Sequence, residues 1–363
     1  MRSEGKYKHY KNNSASRSKY AGYPLKTLKK HPVMKIQRIT VVGAGSIGGW
    51  IGAKLVRCAG VRLSVFARGE TLKSLQKDGL QLHTKDELIQ AKVNASNDAV
   101  QLGEQDLVIL AVKAPAVREV AAQLGPLLGK ETMLLNAMNG VPWWFFDGFG
   151  GVLAGQRLQS IDADGQIAQH LPAQHIIGSV VHASCSVKSP GVIQHHFGNG
   201  LIIGEPSGEQ TPRVNALLAL LQEAGFDVSV SPQIQKDIWY KLWGNMTVNP
   251  ISAITGATTD KILGDDLLRG FISAVMLEAK VIGEKIGIPI AQQPEDRHLV
   301  TLKLGAFKTS MLHDAESGRS IELDALVSSV REMGQLLKQP TPYTNALLGL
   351  ARVHARQHRL YPS

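Results

Sequence analysis

Hydrophobic positions fall in two rhythms along this chain. Up to about residue 230 they form short, mostly apolar runs at 36–42, 62–66, 106–112 and 132–136, least interrupted at 106–112. Runs of that length predict strands of a parallel sheet buried on both faces. Shorter runs between 176 and 204, arranged around Pro190 and Gly191, predict a hairpin that completes the sheet. The leucines and alanines of 212–223 keep helical spacing, Gly225 stops them, and 227–230 reads as a last strand. Beyond Ser231 and Pro232 the pattern is helical to the end, with breaks at Pro250, Gly264, Pro289, Pro294, Gly318 and Pro340. The expected fold class is therefore α/β: a Rossmann-type dinucleotide-binding domain over 34–231, then an all-helical domain over 232–363.

Charge changes the picture only at the start. The formal net charge is +10, but residues 1–33 hold nine Lys or Arg against one acid, so the rest of the chain carries only +2. No apolar period organises those 33 residues, and they read as a disordered basic tail. Nucleic acid is accordingly not expected as a partner of the folded part. Cys58 and Cys185 are too few for a disulfide framework and lack metal-ligand spacing, so no metal is expected. Without an apolar run of about 18 residues or a secretory leader, the expectation is a cytoplasmic protein with no membrane partner.

Candidate chemistry starts at the first strand. It leads into Gly43, Ala44, Gly45, Ser46, Ile47 and Gly48, and then into the apolar pattern of 50–56. In such a strand–turn–helix unit the first glycine permits the tight turn, the second admits a pyrophosphate, and the third lets helix and strand pack closely. Free N–H groups at the helix start then face the phosphates. Arg68 ends the second strand, where an NAD site usually places an acid, so it favours the 2′-phosphate of NADP(H). Lys113 and Asn139 follow the next two strands at their carboxyl ends, where open α/β sheets bind ligands.

In the helical half, Lys241, Asn245 and Asn249 recur every fourth residue, so about 100° of rotation per residue stacks them on one face of a short helix that Pro250 helps to end. That polar ridge suits a small, oxygen-rich ligand; a solvated face is the alternative. Ser310 belongs to a segment that closes one helix, and Glu322 lies in the first turn of the next, where capping alone would account for it. Five aromatics in 141–150 are expected to form core, a wall over the ligand, or an oligomer contact such as a homodimer. His182, His195 and His196 read as structural.

With these pieces assembled, residues 36–355 resemble the ketopantoate reductases, the 2-dehydropantoate 2-reductases. The resemblance rests on Gly43 to Gly48, Lys113, Asn139 with Gly140, Pro190 and Gly191 with His195, the Lys241, Asn245, Asn249 and Pro250 helix, and Ser310 and Met311 with Glu322 twelve residues after the serine. It implies NADPH-dependent reduction of a 2-oxo acid, with Lys241 as general acid and Glu322 as its partner. It further implies substrate contacts from Asn245, Asn249 and Ser310, cofactor contacts from Lys113 and Asn139, and an NADP-reading role for Arg68. The chain departs from the family at Thr259, where an asparagine is usual, and in the aromatic stretch after Gly140, expected near the nicotinamide. A different 2-oxo acid or an imine as substrate, or an NADP-sensing role without turnover, stays open.

Overall fold

Among the described residues ten strands build one sheet, and every one of them precedes Ser231. The computed structural model describes residues 35–362, so the basic segment 1–33 lies outside the described residues. In chain order the strands are β1 (Arg38–Val42), β2 (Arg62–Phe66), β3 (Leu80–His83), β4 (Leu88–Ala91), β5 (Asn94–Ser96), β6 (Gln105–Leu110), β7 (Leu128–Asn136), β8 (Ile176–Ser189), β9 (Val192–Gly204) and β10 (Asp227–Val230). Their order across the sheet is β4-β3-β9-β8-β7-β6-β1-β2-β5, and β10 pairs with β9. Strands β5, β2, β1, β6, β7 and β8 run parallel, whereas β8 and β9 form the antiparallel hairpin. The turn at Pro190 and Gly191 thus joins two long strands.

Alternate residues of the central strands enter different cores. Leu107 and Ile109 of β6 join one apolar layer with Trp50, Leu55 and Leu217, while Val108 and Leu110 join the other with Trp239, Trp243 and Met276. Each strand must therefore be apolar on both faces, which explains runs such as 106–112. The principal helices are α1 (Ser46–Leu55), α2 (Gly69–Asp78), α3 (Pro212–Glu223), α4 (Ile234–Thr255), α5 (Asp266–Lys285), α6 (Pro294–Leu302), α7 (Ser310–Glu316), α8 (Ser329–Leu336) and α9 (Pro342–Gln357). The second layer continues from the sheet through α4 into α5, α8 and α9, so sheet and helical half share one core. No helix among the described residues is long and apolar enough to cross a membrane.

Several local expectations need correction. Helix α4 does not stop at Pro250 but runs 22 residues to Thr255, where Gly256 takes φ +69°. An internal proline costs roughly 3 kcal/mol, yet Val248, Pro250, Ile251 and Ala253 are all buried. Burying a large aliphatic side chain contributes about 1.5–3 kcal/mol, so tertiary packing outweighs the break. Strands β3, β4 and β5 escape the hydrophobic pattern because they are three or four residues long and partly exposed. The aromatic stretch is core: Trp143, Trp144, Phe145 and Phe146 are each at most 9% exposed. Phe145 packs 6.3 Å from Trp239 of α4, and the Trp143 indole N–H donates to the Leu171 carbonyl at 3.1 Å.

Candidate active site

The sheet's carboxyl edge is shaped by the glycine turn after β1. Gly43 has φ +89°, and a Cβ there would lie 2.7 Å from Val112 Cγ1. A Cβ on Gly48 would lie 2.1 Å from the Gly43 carbonyl oxygen, so α1 sits closer to its strand than any other residue allows. Gly45 differs, since a Cβ built on it meets nothing within 4 Å and points into open space. It is also the residue before α1, with no side-chain cap on the helix start. The turn thus offers a positive helix end and an unobstructed approach, which fits a dinucleotide pyrophosphate.

Opposite this turn a cleft of about 500 Å³ runs between the sheet edge and α4, α6 and α7. Gly45, Ser46, Ile47, Lys113 and Asn139 of the sheet half line it together with Lys241, Asn245, Asn249, Ser310 and Glu322 of the helical half. Sequence-predicted residues from both halves therefore meet in one cavity. Gly43, Ala44 and Gly48 do not line it; they shape the turn behind. Arg68 is also outside the lining: it stands exposed beyond the end of β2, paired with Glu119. The Gly43 N–H donates to the Phe66 carbonyl at 3.1 Å, so the chain end bearing Arg68 lies beside the glycine turn.

Lys241 ties the two halves of the cleft together. Its Nζ donates to Asn139 Oδ1 and to the Val181 carbonyl, both at 2.7 Å, linking α4 to the loop after β7 and to β8. Burial pushes its pKa down to about 8, with nearby Glu322 pulling it up and Arg297 pushing it further down. Glu322 is raised above the usual carboxylate range by its own burial, against the Ala114 N–H that it accepts at 3.0 Å and the charges of Lys113 and Lys241. Lys113 in turn pairs with Asp314 of α7. His182 lies in the same lining, its pKa lowered by burial and by Lys241 and Arg297.

Local backbone explains the placement of Asn139 and Glu322. Gly140 takes φ +81°, and a Cβ there would lie 2.5 Å from the Ala325 carbonyl oxygen, which also accepts the Val141 N–H at 2.9 Å. That close approach seats Asn139 against the segment carrying Glu322. Glu322 itself precedes the helical run rather than lying within it, and a π-helical turn follows at Asp324–Ser328. Ser310 opens α7 instead of closing a helix, because Thr309 caps it by accepting the Leu312 N–H at 3.2 Å.

Two expected determinants lie elsewhere. None of the aromatics 143–146 lines the cleft. Thr259 is 2% exposed and its hydroxyl donates to the Gly305 carbonyl at 2.8 Å, so it serves the 305–309 loop instead of a ligand. Arg297, Phe197 and Phe307 line the cleft without having been singled out in the sequence. The signal at Arg297 was weak, since an arginine among the acids of a helix start reads as surface charge. No cluster of three His, Cys, Asp or Glu able to hold a metal occurs among the described residues.

Comparison with known proteins places this geometry. Residues 39–208 match the family described as ketopantoate reductase PanE/ApbA, and residues 233–355 match its C-terminal counterpart. A 2-dehydropantoate 2-reductase of Mesorhizobium japonicum is 43% identical over 324 residues, covering 89% of this chain and 99% of that protein. A Ralstonia solanacearum crystal structure described as a ketopantoate reductase shares 52% identity at a TM-score of 0.87, covering 90% of this chain and all of the other. D-mandelate dehydrogenase, solved with NADH and anilino(oxo)acetate, has the same fold at a TM-score of 0.76 and 18% identity, covering 89% and 99% of the two chains.

Proposed function

The chain belongs to the ketopantoate reductase family, a family of NAD(P)-dependent oxidoreductases, and on that premise we propose that it reduces 2-dehydropantoate to pantoate with NADPH. The observation that carries this reading is the Lys241 amine, held by Asn139 and the Val181 carbonyl in the cleft that the glycine turn also lines. The segment 34–231 is assigned to the cofactor and 232–363 to the substrate. Ser46 and Ile47, at the start of α1, hold the pyrophosphate beside Gly45, while Lys113 and Asn139 flank the nicotinamide end. Arg68 reads the 2′-phosphate, exchanging its Glu119 partner for a dianion.

NADPH, when bound, supplies the hydride to the 2-oxo carbon. The protein's part is to place the carbonyl and manage its charge. Lys241 faces the oxygen on which negative charge develops, stabilises it, and then protonates it as general acid. A pKa near 8 suits that duty, since the amine is mostly charged at neutral pH yet releases its proton more readily than an ordinary lysine. Glu322 keeps the pKa from falling further and so preserves the charged form. Asn245, Asn249 and Ser310 hold the substrate's oxygens.

Initial rates of NADPH oxidation with 2-dehydropantoate, with 2-oxoisovalerate, and with oxo acid plus amino acid mixtures test the assignment. Preference for 2-dehydropantoate below about tenfold, or about 1.4 kcal/mol in the transition state, counts against that substrate. One observation favours a second reading, a 2-oxo acid with a larger apolar group. Phe197 and Phe307, with ring centroids 5.8 Å apart, join Val300 and Leu304 in an apolar rim on the same cleft. The same panel, extended to aromatic 2-oxo acids, decides between them.

A further inference from the structure

Arg297 is the least satisfied charge in the cleft. It stands in the first turns of α6, part-buried, with its Nε lacking any hydrogen-bond partner. It forms no ion pair with a carboxylate among the described residues, and burial lowers its pKa. The acids beside it in sequence are engaged elsewhere. Glu295 pairs with Arg269, and Asp296 accepts the Gln293 N–H at 2.8 Å in the helix cap. A guanidinium desolvated without a counter-ion is costly, and a chain keeps one where a ligand completes it.

Its position is built rather than incidental. The guanidinium lies 5.4 Å from the centre of the Tyr240 ring and against Gly244, where a Cβ would come within 2.6 Å of Nε and 3.0 Å of one terminal nitrogen. Tyr240 and Gly244 are four residues apart on α4, and Lys241 and Asn245 occupy the adjoining ridge of that helix. The absence of a side chain at residue 244 therefore lets the cation settle one ridge away from the amine. The next residue, His298, is 2% exposed and hydrogen-bonded through Nε2 to Ser273 Oγ at 2.9 Å, which fixes the start of α6.

The charges of the cleft point the same way. Lys113 is matched by Asp314, and Lys241 is balanced in part by Glu322, which leaves Arg297 as the cation without a partner. One monoanion beside the amine would complete the set. A 2-oxo acid carries such an anion on the carbon next to its carbonyl, so a substrate oriented with the carbonyl at Lys241 brings a carboxylate towards the adjoining ridge. Resting on the reductase reading above, we propose that Arg297 forms the carboxylate subsite of the cleft and selects 2-oxo acids over their neutral esters and amides. Its planar fork matches a carboxylate in two parallel hydrogen bonds, which a serine or asparagine cannot reproduce.

The test compares wild type, Arg297→Met and Arg297→Lys with 2-dehydropantoate and its methyl ester at saturating NADPH, after NADPH binding by calorimetry has confirmed that all three are folded. Arg297→Met is expected to lower kcat/KM for the acid by about 10- to 100-fold, mainly through KM, and to leave the ester within about threefold. Arg297→Lys is expected to recover part of the preference for the acid. Acid and ester falling together, or neither falling, overturns the subsite. Should wild type oxidise NADPH with no oxo acid at all, the reductase reading fails by itself. The subsite is then judged by calorimetric titration of the NADPH-loaded protein with 2-oxoisovalerate. Binding lost in Arg297→Met upholds it; equal binding, or none to wild type, removes it.

Discussion

Raising the pH through about 8 is expected to switch reduction off, because the proton that the reaction consumes sits on Lys241. An ordinary lysine titrates at about 10.5 and would stay about 97% protonated at pH 9. With burial pushing Lys241 down to about 8, the charged fraction is about nine tenths at pH 7, one half at pH 8 and one tenth at pH 9. From about pH 7 to pH 9 the initial rate at low oxo acid and saturating NADPH should therefore fall about tenfold, with the midpoint in log kcat/KM reporting the amine before the oxo acid binds. Glu322 raises the Lys241 pKa, so Glu322→Gln should move the midpoint towards acid. Its amide oxygen can still accept the Ala114 N–H, which limits structural damage. A profile flat to about pH 10, or a midpoint that moves towards alkali in Glu322→Gln, refutes the assignment of Lys241 as a desolvated acid balanced by that carboxylate.

Three further outcomes are expected. Lys241→Ala should lower kcat by about 100-fold or more while calorimetric NADPH affinity stays near wild type, because the amine acts on substrate; unchanged turnover would remove it as the acid. Arg68→Asp should weaken NADPH far more than NADH, since a phosphate pairing becomes a repulsion; equal loss for both in competition binding would point to damaged folding. Gly140→Ala should destabilise the protein by about 1–3 kcal/mol in thermal or denaturant unfolding, because it combines a left-handed backbone with a contact to the Ala325 carbonyl. Wild-type stability in that variant would mean the loop carrying Asn139 has room to shift.

Much of this arrangement was legible in the chain because its signals are local. The glycine turn announces itself through a strand before and a helix after, and the parallel strands through runs that must be apolar on both faces. The spacing of Lys241, Asn245 and Asn249 likewise placed all three on the cleft wall. What escaped depends on distant partners. Pro250 reads as a terminator until the burial of the residues after it is known. Strands β3 to β5 exist through pairing, β3 with β9, β4 with β3 and β5 with β2, which no short window reports. Arg297 gains its meaning from Tyr240 and Gly244, more than fifty residues earlier, and Thr259 loses a ligand role because its hydroxyl meets the Gly305 carbonyl.

An ammonium group has three N–H bonds, and two of those on Lys241 already end on Asn139 and the Val181 carbonyl. One remains to meet an incoming carbonyl, and its direction is dictated by the other two. The oxygen can thus be met from a single side, while the glycine turn fixes where the reductant approaches. With the substrate's carboxylate held at a second point, only one face of the carbonyl turns to the reductant, so the new stereocentre should be formed in one configuration only; a racemic alcohol would show that the substrate is not gripped at both points.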